Sequence, residues 1–340
     1  MNIDKYLDVI KACRFCFMCR HLAAVGNVTF KESDTPRGRA LLLDKVRMDS
    51  KNMKNQDYIK TIYEAELSAS CRYHCVNHYD EVGLILGARQ DIVESGNAPQ
   101  NIRTVADDLK KVEFTVEGTG DVLYYIDGYT KNHQPEIASA FLQLAGNCKT
   151  ISGGDCGKAL NVLGFAEDAS IVNEKFKKAV KASCSSTLVT SCPASYDALK
   201  NDFPIDGINV MHSSEYLLSL GSINKPSKSI NVYCIDSDYL KNYNNLTAPR
   251  ELLKSAGYKL DMFGTNLEES YAAGEGAVIY DEICPELMKK LSDRVFELAD
   301  NPEKDLIITF SPYTKFALKK SKPDFNAISI EEAILKAKGN

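Results

Sequence analysis

The chain has 340 residues, 44% of them hydrophobic and 26% charged, the balance of a soluble globular protein long enough for two or three domains. Its 41 basic and 46 acidic residues leave a net charge of -5 with no long basic stripe, which argues against nucleic acid as the main partner. No apolar run reaches the ~18 residues of a membrane-spanning helix, and MNIDKYLDVIKAC lacks the basic and apolar regions of a signal peptide, so a cytoplasmic location is expected.

Residues 1 to about 110 read as helical. DKYLDVIKA leads into a cysteine loop, Thr35 and Pro36 form a cap and first-turn pair for RGRALLLDKVRM, and QDYIKTIYEAELSAS and VNHYDEVGLILGARQDIVES keep helical apolar spacing. After about residue 120 the pattern changes to strands alternating with helices. DVLYYID, KTISGG, STLVTSC and GINVMHSS read as strands, and PEIASAFLQLAG and ASIVNEKFKKAVKASC as helices. Such alternation predicts α/β layers with a largely parallel sheet.

An internal repeat then becomes visible. LVTSCPASYDAL (188–199) aligns with IITFSPYTKFAL (307–318), sharing Thr190/Thr309, Pro193/Pro312, Ala198/Ala317 and Leu199/Leu318 at the same offsets. Upstream, DVLYYIDGY matches INVYCIDSDY, PEIASAFLQLAG matches PRELLKSAG, and SGGDCGKAL matches YAAGEGAVI. The predicted organisation is a helical domain over 1–115 followed by two related α/β units, 116–225 and 226–340.

The eleven cysteines carry the chemistry. Cys13, Cys16 and Cys19 form a C-x2-C-x2-C run, answered later by Cys71 and Cys75. Three thiolates from one loop can cap a face of a 4Fe-4S cube, with a fourth from a distant segment completing the ligand set. Zinc is the competing reading, although four-cysteine zinc sites usually draw on two separated C-x2-4-C pairs. Clustered cysteines in an intracellular chain point to metal or redox chemistry rather than to disulfides. Cys148, Cys184, Cys234 and Cys284 lack metal-like spacing and read as core residues. Gly153-Gly154 and Gly274-x-Gly276 are incomplete as phosphate loops. No flavin or nicotinamide site is evident.

Taken in order, TPRGRALL (35–42), PEIASA (135–140), DCGKAL (155–160), TSCPASY (190–196), VMHSSEYL (210–217) and APRELL (248–253), together with the cysteine run, resemble the iron-sulfur proteins related to heterodisulfide reductase. That family includes iron-sulfur subunits of glycolate oxidase, lactate-utilisation and anaerobic glycerol-3-phosphate dehydrogenase systems. The resemblance implies a helical ferredoxin-like domain followed by two tandem α/β repeats of the CCG type.

Departures from the family pattern refine the expectation. Two-cluster ferredoxins carry C-x2-C-x2-C-x3-C-P twice, and the last cysteine of each run ligates the other run's cluster. Here Ala23-Ala24 stands where the first Cys-Pro would fall, and the second run reads Ala65, Ser68, Cys71, Cys75, followed by Val76. The resemblance therefore implies one 4Fe-4S cluster on Cys13, Cys16, Cys19 and Cys75. It leaves Cys71 as a small buried thiol and the second cluster without ligands. The CCG-type positions fall on Gly128, Asp155, Cys156, Cys192 and Ser195 in the first unit, and on Asp238, Ala272, Ala273, Ser311 and Thr314 in the second. Neither set keeps enough thiolates for the family's catalytic cluster. Cys156, Cys192 and His212 could instead converge at the top of the first unit, either as a metal site or as pocket filling. Arg14, Arg20, Arg37 and Arg39 lie near the cysteines in sequence, with Arg37 or Arg39 the candidate to face the cluster.

The expected role is the electron-transfer subunit of an oxidoreductase complex. By resemblance its partner is an FAD-dependent oxidoreductase subunit, with further iron-sulfur proteins in a hetero-oligomer. Two other roles stay open: a thiol- or metal-dependent reductase using Cys156 and Cys192, and a redox-sensing or assembly adaptor.

Overall fold

The computed structural model describes residues 1–221, 230–243, 246–261, 267–299 and 305–339. Residues 1–109 hold seven α-helices: α1 (Leu7–Cys13), α2 (Ala24–Thr29), α3 (Pro36–Met48), α4 (Gln56–Tyr63), α5 (Ser70–His74), α6 (Glu81–Glu94) and α7 (Gln100–Leu109). Their starts are written in the sequence. Thr35 accepts the Gly38 N–H ahead of Pro36, Asn55 accepts the Asp57 and Tyr58 N–H groups, and Asp80 accepts that of Gly83. The run QDYIKTIYEAELSAS is helical only as far as Tyr63, because tertiary partners take the last carbonyls. Arg89, fully buried on α6, donates to the carbonyls of Ile62, Tyr63 and Ala65 and to that of Val162 in the next unit. The chain then turns through left-handed residues at Leu67 and Ala69.

The next unit runs β1 (Thr115–Glu117), β2 (Val122–Tyr125), α8 (Gly128–His133), α9 (Pro135–Ala145), β3 (Lys149–Ser152), α10 (Lys158–Leu163), α11 (Ala166–Ala182), β4 (Thr187–Thr190), α12 (Pro193–Asp197), β5 (Asn209–His212) and α13 (Ser213–Ser219). Its sheet has the order β1-β3-β2-β4-β5, parallel except for the edge strand β1. The third unit comprises β6 (Ile230–Ile235), α14 (Asp238–Tyr243), α15 (Thr247–Ser255), β7 (Tyr258–Asp261), α16 (Tyr280–Ile283), α17 (Pro285–Leu298), β8 (Ile307–Thr309), α18 (Pro312–Ser321), β9 (Ala327–Ser329) and α19 (Ile330–Gly339). Its sheet, β7-β6-β8-β9, is wholly parallel. The protein is thus a mixed α/β chain. β1 has no counterpart in the sequence reading, since its TVE alternates between exposed and half-buried residues at an edge.

The four parallel strands of each unit follow one order, in which the second, first, third and fourth to appear lie side by side. Thr190 pairs with Tyr125 at the end of β4, and Thr309 pairs with Ile235 at the end of β8. Pro193 and Pro312 each open the following helix. Central strands buried on both faces explain the near-continuous apolar runs LVT and IIT. The two α/β units share a core through α9 and α13 on one side and α15 and α19 on the other. The helical region packs on both units, through α6 against α10 and through α2 against α17. Among the described residues, no helix is long and apolar enough to cross a membrane.

Candidate metal centre

α1 ends at Cys13, and the chain continues through tight turns in which Cys16 N–H donates to Cys13 O at 3.1 Å and Leu22 N–H to Cys19 O at 3.0 Å. These turns carry a cysteine every third residue along one loop. Cys75 arrives as the cap that ends α5, its N–H bonded to Arg72 O at 3.2 Å. Cys13, Cys16, Cys19 and Cys75 line one cavity of about 100 Å³, shared with Arg37 and His74. Burial, then the neighbouring Cys19, Cys75 and Cys16, push the Cys13 thiol up to about 12. Mutual repulsion of this kind is what a cationic metal core relieves, so metal binding here would release protons.

Cys71 lies beside this cavity, not in it. It is buried against Leu22 and Ala23, and its S–H reaches Cys19 O at 3.6 Å. A hydrogen bond from Cys71 holds the Cys19 thiol down to about 7, against the opposing effect of burial. With Ala65 and Ser68, Cys71 lines a separate cavity of only about 30 Å³. Arg39 and Glu66 border that cavity as a buried ion pair at 3.8 Å. Burial raises the Glu66 carboxyl while Arg39 pulls it back. Arg37 is the arginine on the cysteine cavity, paired with Glu32 at 2.9 Å. Arg20 reaches the same carboxylate at 3.6 Å, and Arg14 pairs with Asp44 on α3.

A single zinc ion would set a definite spacing on the four cysteines. Tetrahedral zinc with Zn–S near 2.3 Å requires sulfurs about 3.8 Å apart. Among the described residues, no three cysteine sulfurs lie within 4.8 Å of one another.

The positions expected to be vestigial also gather in space. In the first unit Gly128, Asp155, Cys192 and Ser195 line a cavity of about 270 Å³ beyond the carboxyl ends of β2 and β4, where the strand order reverses. Cys156 is fully buried nearby. Burial drives both thiols well above their usual range, so they stay protonated and are poor nucleophiles. His212 does not join them. Its Nδ1 bonds Ser214 Oγ at 2.8 Å and its Nε2 meets Ser191 O at 3.3 Å. Gly153, with φ at +131°, lies so close to Glu113 that an added Cβ would fall 1.9 Å from its carbonyl oxygen. These glycines therefore serve chain packing rather than phosphate binding.

In the second unit, Asp238, Glu275 and Ser237 form a hydrogen-bonded network. Glu275 accepts the Ser237 hydroxyl and the Asp238 N–H, each at 2.8 Å, while Asp238 accepts the Gly276 N–H at 3.0 Å. Thr314 donates to Ala272 O at 3.1 Å. Burial and then Asp238 push the Glu275 carboxyl up to about 8. Carboxylate and hydroxyl groups thus fill the space where the resemblance expects thiolates. Of the remaining cysteines, Cys234 and Cys148 are buried and Cys284 half-buried, but Cys184 is exposed in a left-handed turn, contrary to its reading as core.

No family model matches the chain, and no curated protein matches it. The crystal structure of a hypothetical protein from Helicobacter pylori is similar, with a TM-score of 0.63 over 89% of this chain and 68% of that one, at 12% identity. At that identity the likeness concerns the fold alone. Sequence reasoning passed over His74, Glu275 and Arg89. Only His74 carried a signal, as the residue before Cys75.

Proposed function

We propose that this protein carries one 4Fe-4S cluster on Cys13, Cys16, Cys19 and Cys75 and works as an electron-transfer subunit, exchanging electrons with a flavoprotein partner. The observation that carries this reading is the convergence of these four thiols, from two distant segments, on one cavity that excludes Cys71. When bound, a four-thiolate cluster supplies one-electron chemistry and leaves no open iron for substrate. Phe15, Phe17 and Met18, in the loop that carries the cysteine run, are exposed, which favours a docking face for a redox partner. On this reading the helical region is a ferredoxin-like domain that has lost one cluster. The two α/β units are CCG-type repeats whose ligands gave way to the hydrogen-bonded networks at Asp155 and Glu275, leaving a scaffold.

The reductase alternative is disfavoured because burial raises both of its thiols and favours their protonated forms. Anaerobic purification with iron and acid-labile sulfide counting tests the proposal. About four irons per chain is the expected result. Eight irons, or bound zinc in their place, would overturn it.

A further inference from the structure

On the rim of the cysteine cavity, three donors from separate segments meet. They are His21, two residues past Cys19, His74 at the end of α5, and Glu269 in the turn Leu267–Glu269 of the last unit. One ligand atom from each lies within 4.8 Å of the other two, and among the described residues no other triple of His, Cys, Asp or Glu does so. His74 Nε2 sits 2.5 Å from Glu269 Oε1. The His21 and His74 rings meet edge to face with centroids 4.9 Å apart. An ion pair of His74 with Glu269 would account for two of the three groups, but not for the second imidazole held against the pair.

His21 is also oriented as metal-binding histidines are. Its Nδ1 lies 3.1 Å from Met18 O, so with the proton on Nδ1 the ring is fixed and Nε2 keeps its lone pair. Two imidazoles and one carboxylate suit zinc or ferrous iron, with open positions left for water. Both histidines are exposed and Glu269 half-exposed, so those positions face solvent. The donor set contains no sulfur, which separates it chemically from the neighbouring thiols.

We infer that His21, His74 and Glu269 form a mononuclear site for a divalent transition-metal ion, zinc or ferrous iron, at the rim of the cysteine cavity. The ion would clip the 267–269 turn to both cysteine-bearing segments and set a positive charge beside the cavity that His74 lines. Ion binding itself does not depend on the cluster assignment. Its effect on a cluster, a raised reduction potential, rests on that assignment.

The test titrates Co²⁺ into anaerobically purified protein whose cysteine site is kept as isolated. Expected is one equivalent bound, with weak d–d bands and no thiolate-to-cobalt charge-transfer absorption. His21→Ala and Glu269→Gln should each weaken binding by at least about tenfold. An unchanged iron count and circular dichroism spectrum would show that each variant is folded. Absence of binding, or unchanged affinity in both variants, would overturn the site. So would strong charge-transfer bands that vanish in Cys75→Ser and persist in Glu269→Gln, because they would place the ion on the thiols. The iron count of the same sample reports on the cluster separately, so the two assignments can fail independently.

Discussion

Serine replacement of Cys75 and of Cys71, one at a time, separates two cysteines that sit four residues apart. Cys75→Ser removes one of the four sulfurs on the cavity, leaving three for a core that needs four. Iron and sulfide should fall from about four per chain to well below that number, with loss of visible absorption. Cys71→Ser touches only a hydrogen bond to Cys19 and a small buried volume. A bond of this type is worth about 1 kcal/mol, so stability should change by no more than that and iron should stay near four. The Cys71 thiol lowers the Cys19 thiol and so favours its anionic form. Losing all of the bond in one redox state would move a one-electron potential by about 40 mV, because tenfold, or 1.4 kcal/mol, corresponds to 59 mV. Cys71→Ala, which has no donor, should therefore shift the midpoint to lower potential within that bound. Iron analysis, electron paramagnetic resonance and a redox titration give the answers. A cluster that survives Cys75→Ser but disappears in Cys71→Ser would refute the ligand assignment.

Three further outcomes follow from groups away from the cysteines. Lys158 Nζ lies 2.6 Å from both Asp197 and Asp202, which outweigh burial and raise its pKa; Lys158→Met should cost about 3–5 kcal/mol in denaturant unfolding, and a loss under 1 kcal/mol would contradict the buried triad. Glu275 has a folded pKa near 8 against about 4.3 for an unperturbed glutamate, so the folded state binds the extra proton. Stability from this group is complete below about 4.3 and is lost as pH rises through 8. The melting temperature of Glu275→Gln should accordingly fall less between pH 6 and pH 9 than that of the parent, and parallel slopes would refute the assignment. Gly38→Ala would set a Cβ 1.9 Å from the Glu32 carbonyl oxygen, and forcing α3 off that turn should cost about 2–4 kcal/mol by thermal unfolding; a neutral substitution would contradict the contact.

Local chemistry made a large part of this molecule legible. Thr35 and Pro36, the alternation after residue 120 and the Thr-x-x-Pro joints at 190 and 309 report short-range preferences, and each lies where a cap, a strand or a strand-to-helix joint is found. The end of α4 was not legible, because it depends on a guanidinium arriving from Arg89, 26 residues beyond Tyr63. Edge strand β1 was missed because three residues, two of them exposed, are too short a run to carry a periodic signal.

The sequence by itself determined the spacing of Cys13, Cys16 and Cys19, the α/β order of the later units and the sparse thiols at their joints, since residue type and interval are local properties. Tertiary structure decided which distant side chains share a space. It put Cys75 on the cavity and Cys71 behind it, and turned His212 away from Cys156 and Cys192. It also brought Glu269 to two histidines some two hundred residues earlier in the chain. Such encounters depend on how helices and sheets pack, and the interval between residues along a chain does not encode the distance between their side chains once it has folded.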